Sequence, residues 1–94
     1  MDNLIKTLDT TEWENVLYHD EAELLMGLVN SYIQREPPGT RKEALVTVYN
    51  AISSLRDAIV LGAVNCERND VKVAIACLKG VNHETKSRSD EHSI

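Results

Sequence analysis

Apolar side chains recur at Leu45, Val48, Ile52, Leu55 and Ile59, at spacings of 3, 4, 3 and 4 residues. Residues three and four apart share one side of an α-helix, and an unbroken seam of this kind is what a helix shows when it packs lengthwise against another helix. Ahead of the seam stands Pro37-Pro38-Gly39. Proline has no amide hydrogen and holds the preceding residue in extended geometry, so no helix continues through this point. Upstream of the break, Leu24, Leu25, Leu28, Val29, Tyr32 and Ile33 again recur at helical spacing. Two helices joined by so short an interruption must fold back on each other as a hairpin.

Further helix signals flank the hairpin. Asp20 with Glu23 starts its first arm, and Thr40 with Glu43 predicts a capping box at the start of the second. Gly27, inside the first arm, costs about 1 kcal/mol relative to alanine, which suits a point where another helix crosses closely. A short N-terminal helix is expected to be capped by Asp9 or Thr11, to carry Trp13, Val16 and Leu17 on one face, and to end near Tyr18-His19. Asn69 or Asp70 caps a last segment bearing Val71, Ala74, Ile75 and Leu78, with Lys79-Gly80 as its stop. Val71, Val73, Ile75 and Cys77 also alternate as a strand would, but Ala74, Ala76 and Leu78 fill the polar half of that pattern, and a lone strand has nothing to pair with. The expectation is an all-α domain over residues 1–80: a helical hairpin with a short N-terminal helix and a shorter C-terminal helix. Residues 81–94, "VNHETKSRSDEHSI", are expected to form a flexible, disordered tail.

Ninety-four residues bury only about 60 to 65% of the unfolded surface, and chains this short are often completed by a partner. Val46, Tyr49 and Val60 widen the apolar face beyond the seam. Leu45, Val48, Ile52, Leu55 and Ile59 are therefore expected to serve self-association, as a homodimer, as well as core packing. Cys66 and Cys77 lie eleven residues apart without a Cys-x-x-Cys pattern, which predicts two buried thiols in a reducing cytoplasm, and no metal site or disulfide. No charged leader precedes an apolar run and no stretch approaches the roughly 20 apolar residues of a membrane span, so a cytoplasmic protein with no membrane role is expected.

Catalysis finds no foothold in these residues. His83 and His92 lie in the tail, and His19 beside Asp20 has no nucleophile placed next to it by any local motif. The acids near the helix starts are explained by the helix dipole, and the four isolated glycines build no phosphate loop. A non-enzymatic protein with no cofactor follows. Two binding features remain. Thr40, Arg41 and Lys42 open a helix whose free amide groups could receive an anion. Glu12, Trp13 and Glu14 lie in a stretch, residues 2–23, that holds seven acids against Lys6 alone, which offers a docking face to a basic protein partner. The formal charge of −5 opposes nucleic-acid binding, since such affinity rests mainly on Lys and Arg.

The stretches "ELLMGLVNSYI" (23–33), "TRKEALVTVYNAI" (40–52) and "RNDVKVAI" (68–75), with Asp57 between the last two, make the chain similar to the small enterobacterial biofilm and acid-stress regulators of the AriR (YmgB) type and their connector-protein relatives. The Pro-Pro-Gly loop, the residues between Asp57 and Arg68 and the polar tail depart from that pattern. The resemblance implies a dimeric, all-helical regulator acting through a signalling protein or through DNA, with no catalytic residue. The chain also resembles phage counter-defence proteins, short helical hairpins that sequester cyclic oligonucleotides. That likeness implies a ligand held between subunits by Tyr18, Arg41 and Lys42.

Overall fold

The computed structural model describes residues 1–64 and 66–92, with side chains through residue 83. The chain runs as α1 (Asp2–Thr10), a 3₁₀ turn (Trp13–Asn15), α2 (His19–Arg35), α3 (Thr40–Leu61) and α4 (Glu67–His92), with no strand among the described residues. Segment 70–79 is helix, as its filled-in alternation predicts.

α3 is the centre of the bundle. It packs against α2 along one flank and α4 along another, while α1 and the 3₁₀ turn rest on α4. The seam forms the heart of the core, with Leu45, Val48, Ile52 and Leu55 wholly buried and Ile59 partly so. Around it close Ala22, Met26 and Val29 of α2, Val71, Ile75 and Leu78 of α4, and Leu4 and Leu8 of α1. α3 is also long and apolar enough, by length and composition, to cross a membrane, and here its seam is covered by the other helices.

Several local expectations need correction. The first helix lies earlier than the caps suggest, at Asp2–Thr10, and Trp13 opens only a 3₁₀ turn. Thr10 and Thr11 donate their hydroxyls back to the carbonyls of Lys6 (2.8 Å) and Thr7 (2.7 Å), so they finish a helix and do not start one. At α3, Gly39 takes the N-cap position with φ 154°, open essentially to glycine, which moves Thr40 into the helix and leaves no side-chain cap. Gly27 has no neighbour within 4 Å of the position a Cβ would occupy, so no helix crosses there. Both cysteines are exposed.

α3 ends at a glycine. Gly62 adopts φ 71°, its amide donates to the Ile59 carbonyl, and the Ala63 amide donates to the carbonyl of Ala58, the reverse-turn closure that lets the chain leave a helix. α4 does not stop at Lys79-Gly80. It passes through Gly80 and carries Val81, Asn82 and His83 in helical conformation, because Asn82 is buried and hydrogen-bonded on both its amide atoms. The remainder of the expected tail lies outside the residues whose side chains are described.

Candidate functional site

The helix start at Thr40-Arg41-Lys42 is the best place to ask what this surface can bind. Arg41 points inward along the loop. Its Nε donates to Glu36 Oε1 at 2.5 Å and its Nη1 to Asn82 Oδ1 at 3.4 Å, while Asn82 Nδ2 donates to Asp2 Oδ1 at 3.3 Å. The Glu36 side chain keeps only 15% of its surface exposed. This chain of four polar side chains ties the α2–α3 loop to α4 and to the N-terminus. A guanidinium already engaged by a carboxylate has little left to offer a phosphate.

Lys42 makes no ion pair among the described residues. It lines a shallow groove of about 390 Å³ with Pro38, Gly39, Glu43 and Val46, where Glu43 offsets its charge. Thr40 is exposed beside it. Tyr18 is elsewhere: it precedes α2 while Arg41 follows it, and the 17 residues of α2 rise about 26 Å at 1.5 Å per residue. The four residues expected to make one anion site are thus split between the two ends of the hairpin.

The expected acidic docking face is also redistributed. Trp13 is buried, with its indole Nε1 donating to the Leu8 carbonyl at 3.2 Å, so it presents no docking surface. Glu14 pairs with Lys72 of α4, and that ammonium holds its carboxyl below the ordinary range. Glu12 is exposed and accepts from Asn15. Sequence reading missed Arg68, whose Nε and Nη2 donate to the carbonyls of Trp13 (2.8 Å) and Val16 (3.2 Å) and clamp the 3₁₀ segment onto α4. It also missed Asn82. Both act across more than forty positions of chain, where no local pattern reports them.

The seam carries a similar correction. Leu45, Val48, Ile52 and Leu55 are consumed by the core of a single chain, so none of them is left on the surface for a second copy. The large apolar side chains that do face solvent are others: Leu17, Tyr18, Leu24 and Leu28, Val46, Val60 and Leu61 of α3, and Val73 of α4.

At the start of α2, the donor atoms of His19, Asp20 and Glu23 lie within 4.8 Å of one another, with His19 Nδ1 3.0 Å from Asp20 Oδ1 and 3.8 Å from Glu23 Oε1. All three side chains are at least half exposed, and acids there complement the helix dipole without any ion.

No family model matches the chain, and it has no significant similarity to a curated protein or to a solved structure.

Proposed function

We propose that the protein is a small non-enzymatic regulatory binding protein that acts as a homodimer and docks a basic protein partner on the outer face of α2. The observation that carries this reading is an apolar surface with no role in the chain's own core: Leu24 is 76% exposed and Leu28 lies one turn further along the same helix. Asp20, Glu21 and Glu23 stand beside them, all exposed. Leucines rimmed by acids suit a partner that brings apolar side chains set among Lys and Arg.

The likeness to AriR-type regulators, which implies a dimer working through a signalling protein or DNA, points the same way. DNA is the weaker of those two routes, because Arg41 is engaged by Glu36 and the chain is acidic. Sequestration of a cyclic oligonucleotide by a phage counter-defence protein is weaker still, since Arg41 is engaged by Glu36 and Tyr18 stands at the other end of α2, so no single chain assembles the site.

Changing Leu24 and Leu28 together to lysine tests the reading. Stability should stay within about 0.5 kcal/mol per exposed site, while a partner captured by the unaltered protein should be lost, and its capture should weaken as salt rises. Equal capture by both proteins would overturn the proposal.

A further inference from the structure

Residues 1–16 are bound more to one another and to α4 than to the hairpin. Within this unit the Trp13 indole donates to the Leu8 carbonyl of α1. From the unit to α4 run four polar links in antiparallel order: Asn82 to Asp2, Lys79 to Asp9 (3.2 Å), Lys72 to Glu14, and Arg68 to the carbonyls of Trp13 and Val16. Leu4, Leu8, Trp13 and Val16 supply its buried side chains.

The connection to α2 has a different character. Leu17 and Tyr18 are 59% and 66% exposed, and Tyr18 is extended at φ −121°, ψ 142°. Two large apolar residues thus stand in water at the one place where the unit joins the hairpin. The seam between unit and α4 is itself open, with a cleft of about 280 Å³ bordered by Leu8, Asp9, Trp13, Lys72, Ile75 and Lys79.

We propose that residues 1–16 exchange between two copies of the chain, with Leu17-Tyr18 as the hinge, so that α4 of each protomer receives α1 and the 3₁₀ turn of its partner. The exchanged and closed forms make the same contacts on α4, and differ only in hinge geometry and in the entropy of association. The unit carries Asp9 and Glu14 and α4 carries Lys79 and Lys72, so the charge complementarity that seats the unit on its own α4 seats the unit of an identical copy equally well. Straightening the hinge brings the Leu17-Tyr18 segments of two protomers side by side, covering the apolar surface that the closed form leaves exposed. The inference rests on the dimer reading above and assigns its mechanism.

Two charge-reversed proteins test it, D9K/E14K and K72E/K79E. Each sets like charges against each other whether its unit docks on its own α4 or on that of an identical copy. In an exchanged heterodimer both seams pair opposite charges again. The two proteins, differing in mass, are mixed in equal amounts, unfolded in urea, refolded together and weighed by native mass spectrometry, with circular dichroism to verify that each folds alone. The expected result is a heterodimer enriched several-fold over its share under random association. Dimers in random proportion would show that the chain pairs through another surface and would overturn exchange alone. Monomers throughout, for the unaltered protein as well as the mixture, would overturn the dimer and the exchange together.

Discussion

At position 41 a guanidinium performs a task that an ammonium cannot, because Arg41 reaches Glu36 with one nitrogen and Asn82 with another. Arg41→Lys should therefore lower stability by roughly 1 kcal/mol despite keeping the charge. Arg41→Ala should cost about 1–3 kcal/mol by leaving a mostly buried carboxylate unpaired. Urea midpoints measure both, and two unchanged midpoints would show that the link contributes nothing. Glu14 supplies a pH signature of defined sign. Its carboxyl titrates below the ordinary value of 4.5 because of Lys72, so the folded state favours the ionised form. That contribution is fully present above 4.5 and is lost as pH falls through the lower folded-state value. In Glu14→Gln, unfolding free energy should decline less steeply with acid over that interval, a small effect because the pair is exposed; identical acid limbs would refute it. The sequence displays Arg41 only as a base in a helix's first turn. Its partner Asn82 is 41 residues away, a distance over which no spacing rule operates.

At the scale of elements, the glycines separate by what their backbones need. Gly27 and Gly80 sit in helical stretches with open space where a Cβ would go. Gly27→Ala and Gly80→Ala should each raise stability by about 0.5–1 kcal/mol by removing the entropic penalty of a helical glycine. Gly62, at φ 71° in the α3 C-cap, should behave oppositely. Gly62→Ala should lower stability by about 1 kcal/mol, since a side chain is strained in that region. Thermal melts of the three proteins check the signs, and a stabilised Gly62→Ala would contradict the cap assignment. The helices that were legible, α2, α3 and α4 through Leu78, each carry a repeated apolar spacing over two turns or more. α1 holds the same pattern only in miniature, at Leu4, Ile5 and Leu8, too short a run to declare a helix. The polar residues Asp9 and Thr11 looked like the start of a helix, and nothing in their identity tells a threonine that begins one from a threonine that hydrogen-bonds back to its last turn.

For the molecule as a whole, the decisive question is which apolar residues face inward. A 3-4-3-4 seam states that a helix has a buried side, but whether the covering helix belongs to the same chain depends on how many other apolar faces the chain can supply. Here α2 and α4 supply the faces that cover α3, and the N-terminal segment, through Leu4, Leu8 and Trp13, rests on α4, so the seam is buried within one chain. Two double replacements therefore separate inside from outside. Ile52→Asp with Leu55→Asp places two charges at positions with no solvent exposure, a change costing roughly 4 kcal/mol or more and sufficient to unfold a domain of this size. Leu24→Lys with Leu28→Lys alters side chains that already meet water, and should leave the unfolding free energy within about 0.5 kcal/mol per site. Sedimentation adds a second axis. Because the proposed exchange uses α1 and α4, the Leu24/Leu28 protein should keep the mass of the unaltered protein while losing its basic partner. If instead the Leu24/Leu28 change halves the mass while the fold persists, the outer face of α2 is the dimer contact, and residues 1–16 stay on their own chain.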